Sequence, residues 1–323
     1  MPDAPAVPPA LTSPQPVARP AEAYARASLA PATLRAYQSG WQAFRDWCAL
    51  AGRQALPATP ATVADHLASL ATTHSRASLA KRLSAIGQYH RLAGHAFSAG
   101  HPVIHHTLRG IHRQHGRPAR RAAALTTAEI KALVATCRNS GLADLRDRAL
   151  LLLGYAGALR RAELVAIDRE HLTVTADGLR LLIPRSKTDA AGQGAEIGIP
   201  RGRKPETCPV RALEAWLQAS GCQYGPVFRK VSRWGEVEAA GLHPDAVRQI
   251  LLRRASMAGL AVSGQERLSP HGLRAGFITE AYRQGARDED IMDHTRHRDL
   301  RTMRGYVRRA RLLSESPVTK LGL

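Results

Sequence analysis

The sequence predicts a mainly α protein with a small β-sheet: an all-α N-terminal domain followed by a mixed α+β domain. Three observations carry that expectation. Apolar residues recur at helical spacing in four successive segments from Pro31 onward, with few strand signals among them. Only two short stretches, Gly178 to Pro184 and Ala195 to Pro200, have a β-type pattern. A chain of 323 residues, 44% of them hydrophobic, is long enough for two ordinary domains, each with its own core.

Residues 1 to 20 hold seven prolines and almost no large apolar side chain, so a disordered arm is expected over 1–24. The helical domain follows at 25–115. Its first helix, from Pro31, sets Leu34, Tyr37, Trp41, Phe44 and Cys48 on one face before Gly52 ends it. Thr59-Pro60 supplies an N-cap and a first-turn proline for a second helix with Val63, Leu67 and Leu70 inside. A third, Ser75 to Leu92, turns Leu79, Leu83 and Ile86 inward and Arg76, Lys81, Arg82 and Arg91 outward. A fourth starts at Pro102, with Val103, Leu108 and Ile111 inward.

Gly116 to Arg121 breaks the pattern, and 116–125 reads as a basic linker carrying Arg117, Arg120 and Arg121. The second domain, 126–323, opens on Thr126 and Glu129 at capping-box spacing. A strongly apolar helix, Leu145 to Ala156, forms its centre. The two β-type stretches, separated by Arg185 to Asp189 and a glycine-bearing loop, make a hairpin or a small sheet edge. Helices are then expected at Cys208 to Ala219, Pro244 to Met257, Pro270 to Arg283, Asp288 to about His294, and Leu300 to about Leu313.

The charge narrows the class of partner. With 46 Lys plus Arg against 26 Asp plus Glu, the chain carries a formal +20, which favours polyanions. The longest apolar run, Ala149 to Leu159, is too short to span a bilayer, and the N-terminus lacks a signal-peptide pattern, so nucleic acid is the expected partner and the cytoplasm the expected compartment. The outward cations of the third helix, and the nearly acid-free stretch from His101 to Arg121, point to contact with a DNA backbone. Four scattered cysteines without Cys-x-x-Cys spacing suggest buried free thiols and no metal site.

Six side chains form a chemical set. Arg160 ends the apolar helix, where an arginine is either salt-bridged or an anion ligand, and Glu163 stands one turn away to hold it. Lys187 lies in the hairpin turn; His271 and Arg274 share one face of a helix; His297 precedes Tyr306 by nine positions. Two arginines can grip the non-bridging oxygens of a phosphodiester, lysine and histidines can move protons, and tyrosine can be the nucleophile. No Asp/Glu cluster suited to two metal ions and no Walker-type glycine loop is seen, so no metal and no cofactor are expected.

In order, Arg160, Lys187, His271-x-x-Arg274, His297 and Tyr306 resemble the site of the tyrosine recombinase, or phage integrase, family. Trp47 to Leu50 and Leu56 to Pro60 are similar to the first helix, turn and second helix of the core-binding domain of its Cre-like members. The likeness covers roughly 25–312. It implies a site-specific DNA recombinase with a core-binding and a catalytic domain, working as a tetramer on two DNA sites, with a monomer as a candidate state in solution, and exchanging strands through a Holliday junction.

The same resemblance implies roles. Tyr306 attacks the scissile phosphate to leave a 3′-phosphotyrosyl DNA, Arg160 and Arg274 bind its oxygens, Lys187 protonates the departing 5′-oxygen, His271 assists at the tyrosine, and His297 hydrogen-bonds the phosphate. Glu163 orients its neighbours. The sequence departs from the family at Arg161, which adds a DNA contact or a surface salt bridge, and at Thr295-Arg296, where Leu-Gly is common and a less tight backbone is expected. Past Tyr306, the apolar Val307, Leu312, Leu313, Val318 and Leu321 dock on a neighbouring protomer or pack within their own chain. The rival activities are strand relaxation of the type IB topoisomerase kind and an inert DNA-binding regulator of the same fold.

Overall fold

The computed structural model describes residues 24, 28–138, 141–184, 193–310, 316, 318 and 321. It divides into two compact units, Met1–Pro118 and Ala119–Leu323.

Four helices make the first unit: α1 (Pro31–Leu50), α2 (Pro60–Ser69), α3 (Arg76–Leu92) and α4 (Pro102–His115). Their starts follow local chemistry. Thr59 and Ser75 accept hydrogen bonds from the amides of Thr62 and Ser78, satisfying donors that a first turn leaves open, and α1, α2 and α4 each carry a first-turn proline. The predicted stripes meet in one core of Trp41, Phe44, Cys48, Val63, Leu67, Leu79, Leu83, Ile86, Ile104 and Ile111. Trp41 stacks on Tyr89 with ring centroids 4.8 Å apart. His90 is buried but satisfied, its Nε2 taking the Ala58 amide at 2.8 Å and its Nδ1 facing the Ile86 carbonyl at 2.8 Å. One expectation fails: in α4 it is Ile104 that enters the core, while Val103 is 44% exposed. A proline start fixes the helix but not its rotation, and two adjacent β-branched residues leave the inward one undetermined.

The second unit is built around α6 (Leu142–Ala156), whose residues Ala149 to Leu153 are all buried. It is preceded by α5 (Thr127–Ala135), where the Glu129 carboxylate accepts from both the amide and the hydroxyl of Thr126, at 2.5 and 2.7 Å. A short α7 (Arg161–Val165) follows, then a sheet of β2 (Leu172–Val174), β3 (Gly178–Ile183) and β4 (Ala195–Pro200), antiparallel in that order. Pairs Leu179 with Ile199 and Leu181 with Ile197 put one apolar face of the sheet into the core. The predicted hairpin is thus β3–β4, and β2 adds a third strand.

Helix α8 (Pro209–Ser220) packs against α6, its buried Trp216 donating Nε1–H to the Val227 carbonyl at 2.8 Å. A hairpin of β5 (Arg229–Val231) and β6 (Val237–Gly241) lies where the sequence predicts only helices on either side. Helices α9 (Pro244–Met257), α10 (His271–Arg283), α11 (Asp288–Thr295) and α12 (Leu300–Ala310) complete the unit.

The basic stretch after Pro118 is not all connection. Arg121–Ala122 form β1, parallel to β7 (Glu266–Arg267), and Ala123 and Leu125 are buried. Leu125 donates its amide to the Gly272 carbonyl at 3.0 Å. Helix α10 accepts this strand-like segment because Gly272 and Gly276, one turn apart, carry no side chain. A Cβ on either would run into the backbone carbonyl of Ala123 or Leu125. Opposite, Ile278, Ile291, Met303 and Val307 bind α10, α11 and α12 into a small second core. Val307 therefore packs within its own unit. Leu312 and Leu313 lie outside the described residues, and Val318 and Leu321 are exposed. All four cysteines are free and buried, and among the described residues no helix is long and apolar enough to cross a membrane.

Candidate active site

Helix α10 carries two of the predicted side chains. His271 stands exposed in its first turn, with Nε2 2.6 Å from the Tyr306 hydroxyl on α12. Tyr306 is half-buried because the second small core holds its ring, which leaves the hydroxyl fixed and facing out of that core. The two residues lie 35 positions apart in sequence, so the pair is made by tertiary packing alone.

Arg274, one turn along α10, is 1% exposed. Its Nη1 donates to the Ala158 carbonyl at 2.7 Å and its Nη2 to the Thr295 carbonyl, and Nη2 also lies 3.2 Å from His297 Nε2. These two carbonyls belong to two turns with left-handed backbone. Ala158 and Arg296 have φ of 45° and 57° and are the only non-glycine residues with positive φ among those described. Each such conformation costs on the order of 1–2 kcal/mol for a residue with a Cβ. One planar guanidinium thus pins the turn that ends α6 and the turn that ends α11.

Arg160 begins α7, and its partner is Glu163. The Glu163 carboxylate takes the Arg160 amide at 3.0 Å and its Nη1 at 2.6 Å, while the Arg160 side chain stays 21% exposed. Arg296 reaches the same carboxylate, Nη2 to Oε2 at 3.0 Å. Burial alone would raise the Glu163 pKa, but the hydrogen bonds from Arg160 and the charges of Arg296 and Arg160 outweigh it and hold the carboxyl below its usual range. Burial, then the charges of Arg160 and Arg296, pulls Arg274 down to about 9, which still leaves it cationic at neutral pH. Two guanidinia share the Glu163 carboxylate and a third stands close by, so the cluster carries a net positive charge suited to an anion.

His297 is half-buried beside them. Burial first, then Arg274 and Arg160, lowers its pKa to about 4, so the ring is neutral in the empty site. Thr295 Oγ1 lies 2.6 Å from both the Ile291 carbonyl and His297 Nδ1. The hydroxyl has one proton, and a carbonyl can only accept. Donation to Ile291 therefore leaves Oγ1 to accept from Nδ1–H, which fixes the tautomer with a bare Nε2. The expectation of a looser backbone before His297 is reversed. The turn is closed by Arg296 N to Asp293 O and His297 N to Met292 O, a helix stop of Schellman type that glycine more often fills.

Lys187 lies outside the described residues. Arg161 makes an exposed ion pair with Asp245 at 2.6 Å. Of the outward cations of α3, Arg76, Lys81 and Arg91 are exposed, whereas Arg82 is half-buried and donates to the Ser39 carbonyl. Arg117 is exposed. Arg120 and Arg121 line a 510 Å³ groove with Arg267, Arg301, His271 and Tyr306. Arg267 escapes sequence reasoning because nothing local links it to the tyrosine, whereas Arg301 stands five positions before Tyr306 on α12 with nothing to single it out among the arginines there. Arg296 is visible there only as an unusual residue directly before His297.

This combination of a helical unit with an α+β unit that gathers arginines beside a tyrosine has known counterparts. Residues 123–311 match the Phage integrase family and residues 24–96 match the Phage integrase, N-terminal SAM-like domain; the chain belongs to this family, the site-specific tyrosine recombinases. It is 32% identical over 299 residues to an integrase/recombinase xerD homolog of Selenomonas ruminantium, an alignment spanning 91% of this chain and 86% of that protein. In fold it resembles the λ integrase dimer bound to a COC' core site, with TM-score 0.60, 19% identity and 88% and 74% of the two chains covered. It also resembles the λ integrase tetramer bound to a Holliday junction, with TM-score 0.58, 18% identity and 86% and 75% covered.

Proposed function

We propose that this recombinase cuts and rejoins duplex DNA at Tyr306. The observation that carries the reading is the 2.6 Å contact between the Tyr306 hydroxyl and His271 Nε2, in a unit that also gathers Arg160 and Arg296 on one carboxylate with Arg274 near them. The Tyr306 oxygen attacks the scissile phosphorus while its proton passes to His271. The bond to the 5′-oxygen breaks, and that oxygen takes a proton, a role the family resemblance gives to Lys187. The products are a 3′-phosphotyrosyl ester and a free 5′-hydroxyl, with the phosphoester energy conserved. Rejoining runs the same steps backward with a hydroxyl from the partner strand.

Negative charge grows on the non-bridging oxygens during attack. Arg160 and Arg274 receive it as planar forks, and His297, its Nδ1 held by Thr295, donates to the phosphate once the incoming anion has drawn a proton onto its bare Nε2. Glu163 orients Arg160. Beyond the scissile position, Arg120, Arg121, Arg267 and Arg301 line the groove next to Tyr306 and supply flanking phosphate contacts, while Arg76, Lys81, Arg91 and Arg117 serve the backbone at a distance. Four protomers on two sites, exchanging strands through a Holliday junction, is the assembly suggested by the resemblance to the λ integrase tetramer. Four free, buried thiols accord with cytoplasmic residence.

The test is a nicked suicide duplex built on the sequence the protein enriches from a random pool. The parent protein traps itself as a covalent adduct, and Tyr306→Phe binds the duplex but forms none. Binding without an adduct by the parent would identify an inert regulator. Relaxation of supercoiled plasmid lacking the site would identify a topoisomerase-like activity.

A further inference from the structure

We propose that Arg296 is a positioning residue for the cleavage step: it neutralises Glu163 independently of Arg160, so that Arg160 can turn from the carboxylate to the phosphate. The inference rests on the reading of Tyr306 and the arginine cluster given above.

Arg296 occupies its place at a triple disadvantage. Its backbone is left-handed, φ 57° and ψ 46°, at a helix stop whose hydrogen bonds are made by backbone groups and need no side chain. A long cation at a helix end ordinarily extends into water, yet this one is 9% exposed and runs inward. Its Nε is buried with no hydrogen-bond partner, and the positive charge of Arg160 stands nearby. Strain, an unmet donor and like-charge crowding coincide at one residue, and such costs gather where function requires them.

What the side chain does there is specific. Nη2 binds Glu163 Oε2 at 3.0 Å, and Nη1 donates to the His294 carbonyl at 3.0 Å. On the same carboxylate, Oε1 binds Arg160 Nη1 at 2.6 Å, and Oε2 takes the Arg160 amide. If Arg160 were the sole counter-charge, a phosphodiester could claim its guanidinium only by leaving a buried carboxylate unpaired, and Glu163 would compete with the substrate. With Arg296 on the other oxygen, Glu163 stays paired when Arg160 moves. Its remaining hold, through the Arg160 amide, keeps the start of α7 in place during the exchange. DNA affinity is spread over many phosphates, so the effect falls on the chemical step.

The experiment uses the full-length protein and the nicked duplex described above, measuring single-turnover adduct formation, DNA affinity and thermal midpoint. Arg296→Gly and Arg296→Gln form adduct about 100-fold more slowly than the parent, the order expected when a reacting group is misplaced. Their affinity stays within about twofold. Arg296→Gly melts higher than Arg296→Gln although both are equally slow, because glycine takes the left-handed turn without strain and offsets part of the lost ion pair. Arg296→Lys recovers part of the rate. In the Glu163→Gln background the Arg296→Gln change costs nothing further, since the residue acts through that carboxylate. Parental rates in the Arg296 variants, additive losses in the double variant, or a fall in melting temperature that tracks the rate would each overturn the proposal. Absence of an adduct from the parent itself would instead overturn the reading of Tyr306, and this inference with it.

Discussion

Replacing Arg274 with lysine probes the joint on which the whole cluster turns. The guanidinium bridges the Ala158 and Thr295 carbonyls from a site that is 1% exposed, and it touches His297 as well. A lysine ammonium is a point donor that cannot span both carbonyls. One is left unpaired in a dry environment, at a cost of about 1–3 kcal/mol. The ammonium also gives up the contact with His297, so the upper half of that range, about 2–3 kcal/mol, is the expected loss. For a unit of this size that lowers the melting midpoint by roughly 4–12 °C. Loss of the two-pronged grip on the phosphate slows adduct formation by about 10²–10³-fold, the usual effect of removing one preorganised donor. Calorimetry and single-turnover cleavage read the two effects separately. Arg274→Lys that melts with the parent would refute the structural bridge, and one that also cleaves at the parental rate would refute the arginine as a phosphate ligand.

Two further outcomes test other parts of the second unit. Asp147 is fully buried and accepts from Arg146, Arg253 and Arg254, so Asp147→Asn strips the charge that balances two buried guanidinia; a loss of about 3–5 kcal/mol is expected by denaturant unfolding, while a change under about 1 kcal/mol would show the network to be dispensable. His297 has a folded-state pKa of about 4, below its unfolded value, so the unfolded chain takes up a proton first as acid is added. Stability falls as the pH drops from roughly 6.5 toward 4, by less than about 1 kcal/mol per pH unit for a half-buried ring, and His297→Gln flattens that part of the profile; identical profiles would exclude the buried neutral imidazole.

The helices were legible in the sequence where their ends carry their own chemistry. Thr59 and the Thr126–Glu129 pair mark their starts with side chains that meet the first open amides, and the α1 stripe reads inward from Trp41 onward, whereas Leu34 and Tyr37 are half-buried and stand outside the core. The strands were legible only where they alternate. The β1–β7 pair joins Arg121 to Glu266, two exposed or half-exposed polar dipeptides whose partnership is decided by the glycine face of α10, and no local pattern encodes it. In the site, Glu163 could be assigned to Arg160 because one helical turn separates them. Arg296 could not be joined to Glu163, because the two lie 133 positions apart and the turn at Arg296 defies the preference of the local backbone. Sequence logic identifies reactive groups by type and order; which carboxylate balances which cation is settled by burial, and burial is a property of the fold.

Gly272 and Gly276 give this site its gauge. The helix bearing His271 and Arg274 is set at its distance from the Ala123–Leu125 backbone by atoms that are missing, so the thinnest face of α10 and its reactive face share one rigid body. A single added methyl would work like a shim under a lens mount: nothing in the reactive set would be altered chemically, yet the imidazole would leave the tyrosine's reach and the guanidinium would lift off both carbonyls together.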